Sequence, residues 1–230
     1  RSQRLRVQDL DESSIDWSQF SISKPSELIQ KDKKSPFPHQ VTAIEKVIDG
    51  FRANDRGKLI MACGTGKTFT ALQIAQELVR PGGTVLFLVP SISLLSQTLK
   101  EWTIEAKASL RSYTVCSDVS VGKRTDDEDI PITDLAYPAT TNASKLISKF
   151  EESGSHSDGL TVIFSTYQSI DVIKQAQEMG LPDFDLIICD EAHRTTGVTL
   201  SGDDESAFVR IHKNSNVRGL KRLYMTATPR

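Results

Sequence analysis

Met61-Ala62-Cys63-Gly64-Thr65-Gly66-Lys67-Thr68, read as MACGTGKT, follows the apolar pair Leu59-Ile60 and precedes a helix-patterned stretch that starts near Phe69. Strand, glycine-rich loop and helix in that order form a phosphate-binding P-loop. Gly64 and Gly66 lack Cβ atoms where backbone N–H groups must turn inward around phosphates. Lys67 can reach the β- and γ-phosphates, Thr68 can hold magnesium, and the helix start presents a favourable dipole to an anion. Cys63 and Thr65 complete the loop whose amides would line the phosphates. The strict pattern has glycine six residues before the lysine, and Met61 stands there instead. The ligand expected from this loop is a nucleoside triphosphate with Mg2+.

The rest of the chain supplies the sheet such a loop needs. Leu59–Ala62, Val85–Val89, Leu160–Phe164 and Leu186–Cys189 are short apolar runs with little alternation, as in strands buried on both faces of a parallel sheet. Tyr113–Cys116 and Leu223–Met225 are two further candidates. Helical spacing separates them: Val41, Ile44, Val47, Ile48 and Phe51 within 39–51, then Ala71, Leu72, Ala75, Leu78 and Val79, then Leu94, Leu95, Leu99 and Trp102. Pro81-Gly82-Gly83 stops the second helix. Alternating strands and helices predict an α/β fold with a doubly wound, mostly parallel sheet whose ligands sit at the carboxyl ends of the strands.

At 230 residues the chain holds one substantial α/β domain, residues 36–230, with residues 1–35 as a leading segment or linker. In that segment Ile15, Trp17, Phe20 and Ile22 are the apolar anchors. Ser117–Gly159 interrupts the rhythm as an inserted surface element or a specific docking feature, with Asp126-Asp127-Glu128-Asp129 in a row and a helix to Phe150 capped by Thr141 or Asn142. Cys63, Cys116 and Cys189 are odd in number and widely spaced, which fits reduced thiols in the cytoplasm rather than disulfides or a zinc site. No run is long enough for a membrane span. A net charge of −2 argues against a lobe that grips nucleic acid alone through a broad basic face. Arg1 at the start and a motif at the very end mark the chain as a piece of a larger protein.

Asp190-Glu191-Ala192-His193 closes the apolar run 186–189. A carboxylate at the end of a buried strand suits a Walker B element: Asp190 would hold magnesium and Glu191 would polarise the attacking water. MACGTGKT, DEAH and Thr226-Ala227-Thr228-Pro229 together resemble motifs I, II and III of superfamily 2 helicases and translocases, in matching order. Phe37-Pro38-His39-Gln40 resembles the adenine-reading Q motif, with Phe37 where members often carry Arg. Leu88-Val89-Pro90-Ser91 resembles motif Ia, and Ser165-Thr166-Tyr167-Gln168 motif Ib. FLVPSISLLSQTLKEW and FSTYQSI look closest to the motors of restriction enzymes, the single-chain type ISP group first and the type I motor subunit next.

That resemblance implies a RecA-like first lobe of an ATP-dependent duplex DNA translocase, working without obligatory strand separation. It implies ATP as the nucleotide, with Gln40 as the adenine contact, and His193, Thr226 and Thr228 as a relay of nucleotide state. Pro90, Ser91, Thr166 and Tyr167 would meet one strand's phosphates, which positions the DNA without reading its sequence. It further implies a second RecA-like lobe, and nuclease and methyltransferase or specificity domains, as partners in the same protein. Two other readings compete: a P-loop switch or nucleotide kinase with no DNA coupling, and a non-catalytic nucleotide-binding module. The intact Lys67, Thr68, Asp190 and Glu191 speak against the second, and the Thr-Ala-Thr run is unexplained by the first.

Overall fold

A computed structural model describes residues 7, 10, 13, 15–116, 139–154, 156–193 and 207–228. The acidic run Asp126–Asp129 and Pro229 lie outside them. Residues 1–35 and 36–230 form two compact units. In the first, Asp16 caps a short 3-10 turn, Trp17–Gln19, and Ile15 bridges to Gln30. Of its four apolar anchors, Ile15 and Trp17 are half-buried, whereas Phe20 and Ile22 are exposed.

The second unit is a seven-stranded, all-parallel sheet. In chain order its elements are α1 (Pro38–Ala53), β1 (Arg56–Ile60), α2 (Lys67–Leu78), β2 (Thr84–Val89), α3 (Ile92–Glu105) and β3 (Ser109–Val115). Then come β4 (Ala139–Thr140), α4 (Ala143–Glu152), β5 (Gly159–Thr166), α5 (Ile170–Glu178), β6 (Phe184–Cys189), α6 (Ala207–Arg210) and β7 (Gly219–Thr226). The strand order is β1-β7-β6-β2-β5-β3-β4. All six strands expected from apolar runs are present. The seventh, β4, is two residues long and carries no hydrophobic run, so no pattern announced it.

Strand β2 lies at the centre, and its six residues are all buried. Successive side chains point to opposite faces. Val85, Phe87 and Val89 accordingly join a core with Leu72, Ile74 and Trp102 of α2 and α3, while Leu86 and Leu88 join another with Leu146, Ile147 and Ile173 of α4 and α5. Trp102 meets Phe87 and Phe164 edge-on, with ring centroids 5.1 and 5.6 Å away. Asn142 caps α4, its side chain accepting from the Lys145 N–H at 3.1 Å. Because Ala143, Leu146 and Ile147 are buried, α4 is part of the lobe's own layer and not a surface addition.

Register brings the functional ends together. Ile60 of β1 stands beside Thr226 of β7, Cys189 of β6 beside Tyr224 and Leu88, and Val89 of β2 beside Thr166 of β5. The residues that follow these strands therefore share one edge of the sheet.

Candidate active site

The phosphate loop leaves β1 at Met61, whose N–H donates to the Thr226 carbonyl at 3.0 Å. Gly64 and Gly66 have φ of 76° and 81°, the left-handed region that favours glycine. Gly66 has a second constraint: a Cβ there would stand 2.3 Å from Gln40 Nε2. Thr65 closes the turn, its hydroxyl donating to the Ala62 carbonyl at 2.7 Å. Lys67 and Thr68 open α2, which lacks a side-chain cap, so its first amides stay available to an anion. Trp102 Nε1 donates to the Thr68 carbonyl at 3.1 Å and ties that first turn to α3. Cys63 is exposed on the loop.

Asp190 and Glu191 follow β6. The Asp190 N–H donates to the Leu88 carbonyl at 2.9 Å, continuing the ladder for one residue beyond the strand. Burial pushes the Asp190 carboxyl up to about 6, against the Glu191 N–H, which donates to Oδ1 at 2.9 Å, and the favourable charge of Lys67. A carboxylate so desolvated is suited to a cation partner. Glu191 is the one described non-glycine residue with positive φ, at 50°. That backbone costs about 1 kcal/mol and points to function at this position. Its Oε1 lies 3.7 Å from Lys67 Nζ, and its Oε2 lies 3.2 Å from His193 Nδ1. His193 Nδ1 is also 3.4 Å from the Thr226 hydroxyl, which accepts from the Thr228 N–H at 3.2 Å. Lys67, Glu191, His193, Thr226 and Thr228 thus form one continuous polar chain from motif I through motif II to motif III.

Gln40 is buried and reaches the loop: Nε2 donates to the Thr65 carbonyl at 3.0 Å, and Oε1 accepts from the Phe37 N–H at 2.9 Å. His39 Nε2 is 3.3 Å from the same carbonyl, and its ring stacks on exposed Phe37 at 5.9 Å between centroids. A cavity of about 690 Å³ opens beside Thr65 between α1 and β1, lined by Val47, Phe51 and Leu59, and it excludes Lys67, Asp190 and Glu191.

The four residues assigned to phosphate contact divide. Ser91 caps α3, accepting from the Leu94 N–H at 3.3 Å, which leaves its own hydroxyl proton to donate, and Pro90 is buried just before it. Thr166 is buried and paired with the Ser169 hydroxyl at 3.1 Å. Tyr167 is 0 % exposed, and its hydroxyl donates to the Asp190 carbonyl at 2.8 Å. Its side chain therefore supports motif II from within the core and presents no surface to a nucleic acid. Sequence reasoning also missed Trp102 as a brace of the phosphate loop, since an indole in an apolar helix stripe looks like core alone.

Residues 33–230 match the family described as type III restriction enzyme, res subunit. Among solved structures, the ATP-dependent type ISP restriction-modification enzyme LlaBIII bound to DNA is 46 % identical, with a TM-score of 0.85 over 97 % of this chain and 14 % of that one. A nuclease-deletion mutant of the type ISP enzyme LlaGI, in complex with a DNA substrate mimic, is 42 % identical, with a TM-score of 0.69 over 85 % of this chain and 18 % of that one. A probable helicase of African swine fever virus, from a tick isolate from Malawi, is 33 % identical over 98 % of this chain and 22 % of its own length. The chain thus spans less than a quarter of each of these relatives. Among the described residues no helix is long and apolar enough to cross a membrane. With its P-loop, DEAH turn and Thr-Ala-Thr strand end converging on one edge of an all-parallel sheet, the chain belongs to the type III restriction enzyme res-subunit family, as a RecA-like superfamily 2 motor lobe.

Proposed function

We propose that this chain is the first ATPase lobe of a cytoplasmic, duplex DNA-translocating restriction-modification enzyme. The observation that carries this reading is the unbroken polar chain from Lys67 through Glu191 and His193 to Thr226. A nucleotide site with no mechanical output has no need of those last two residues. The DNA and the DNA substrate mimic bound by the type ISP relatives support DNA as the partner.

Lys67 Nζ lies 3.7 Å from Glu191 Oε1. Lys67 would donate to the β- and γ-oxygens of a triphosphate, a more highly charged acceptor than one carboxylate. The amides of residues 63–68 hold the phosphates, and Gln40 meets the adenine from beside the loop. The Thr68 hydroxyl and the Asp190 carboxylate suit magnesium, which when bound neutralises the phosphate oxygens. Glu191, oriented by His193, would polarise the attacking water. His193 passes the change to Thr226 and Thr228. Ser91 and the backbone of the turn after Thr166 hold DNA phosphates without reading bases. Transition-state arginines come from a second RecA-like lobe, so this lobe alone turns over very slowly. Nuclease and methyltransferase or specificity domains complete the enzyme.

The test uses the full-length protein that contains this chain. Its ATP turnover should rise with linear duplex DNA, and Glu191→Gln should abolish turnover while nucleotide binding survives. ATP turnover indifferent to DNA would favour a switch or nucleotide kinase and end the motor reading.

A further inference from the structure

One peptide unit sits at the centre of the site. The Asp190 carbonyl accepts from the buried Tyr167 hydroxyl at 2.8 Å, and the N–H of the same peptide, on Glu191, donates to Asp190 Oδ1 at 2.9 Å. Rotation of that peptide plane moves the Asp190 carboxylate and re-aims Glu191, whose φ of 50° leaves only a small allowed basin.

Tyr167 also opens the 3-10 turn, Tyr167–Ser169, that connects β5 to α5. The same turn is gripped a second time. Asp171, in the first turn of α5, accepts from Arg210 Nη1 at 2.7 and 2.8 Å. Arg210 ends α6, in the segment that leads from motif II to β7. Beyond it, Arg222 Nε donates to the Ile211 carbonyl at 3.0 Å, and Arg222 lies on β7 four positions before Thr226. The turn after Thr166 is therefore fastened to motif II at one point and to the approach of motif III at another.

We propose that Tyr167 is a positioning residue whose hydroxyl links the strand-end turn at 166–170 to the Asp190–Glu191 peptide, so that DNA held on that turn sets the aim of Glu191. This rests on the motor reading above. The ring fills the core beside Ile173 and Cys189, so of this side chain only the hydroxyl reaches the Asp190 carbonyl, while the Asp171–Arg210 pair holds the turn that carries it. Replacing the hydroxyl by hydrogen keeps the packing and frees the peptide from the turn.

In the full-length protein, Tyr167→Phe should lower the ratio of ATP turnover with and without linear duplex DNA by about fivefold to tenfold, the scale of one buried hydrogen bond. Duplex affinity by fluorescence anisotropy should stay within about twofold, because the phenol touches no DNA. An unchanged ratio overturns the proposal. So does a loss of DNA affinity equal to the loss of stimulation, which would make Tyr167 a DNA contact. If the unaltered protein itself ignores DNA, the motor reading fails first and this proposal falls with it. Should Tyr167→Phe not fold, Asp171→Asn at its exposed position serves instead, with an expected drop of about twofold and an unchanged ratio as the refuting result.

Discussion

Asp190→Asn should make the ligand-free protein more stable while destroying its metal site. Burial raises the Asp190 carboxyl from 3.8 to about 6. Each unit is about 1.4 kcal/mol, so ionised Asp190 costs roughly 3 kcal/mol of folding stability at pH 7. Asparagine removes that charge and keeps Oδ1 to accept from the Glu191 N–H. Its amide N–H2 needs a new partner, at about 1 kcal/mol, so the net gain is about 2 kcal/mol. For a chain of this size that is roughly 4–8 °C in melting temperature. The pH dependence has a definite sign. A carboxyl with raised folded pKa favours the native state fully below pH 3.8, and that advantage is lost as pH rises through about 6. Wild type should therefore close about 2 kcal/mol of the gap between pH 7 and pH 4.5, since other carboxyls titrate alike in both proteins. Chemical denaturation without metal or nucleotide at the two pH values measures this. Added Mg2+ and ATP should then stabilise wild type and leave the variant unmoved. A variant less stable than wild type at pH 7, or a gap that ignores pH, would refute the account of Asp190 as a buried charge whose desolvation outweighs its partners.

Four further substitutions have outcomes set by the same geometry. Lys67→Ala should abolish nucleotide binding in calorimetry with the fold intact by circular dichroism; retained affinity would remove the phosphate-loop assignment. Gly64→Ala meets nothing within 4 Å and carries only the strain of φ 76°, so it should cost about 1 kcal/mol. Gly66→Ala adds a clash with Gln40 and breaks its bond to Thr65, so about 2–4 kcal/mol is expected, and equal losses in urea titrations would contradict the Gln40 contact. Trp102→Phe removes the indole donor while the Thr68 carbonyl keeps its place in the helix ladder, which should cost about 1 kcal/mol and weaken nucleotide binding a few-fold, whereas unchanged binding would make the indole a packing group only.

What could be seen in the sequence was what neighbouring residues do together. Gly64, Gly66, Lys67 and Thr68 form one turn, so their spacing alone announced a phosphate loop. Runs such as Val85–Val89 had no polar side, and that indicated a sheet covered on both faces. Residue types narrow the cap of α4 to Thr141 or Asn142, and the structure gives it to Asn142, three residues before its partner Lys145. Two-residue β4 stayed hidden, for too few side chains carry its pattern.

Contacts between distant elements needed the strand order. Inserting β7 between β1 and β6 is what sets Thr226 beside the phosphate loop and within reach of His193. Tyr167 reads in the sequence as part of a DNA-facing motif. Only the packing of β5 against β2, and of β2 against β6, turns its ring inward until the hydroxyl meets the carbonyl of Asp190. Spacing along a chain encodes a turn because covalent geometry carries it. The meeting of residues 23 apart is decided by which faces must be buried and which strands lie side by side.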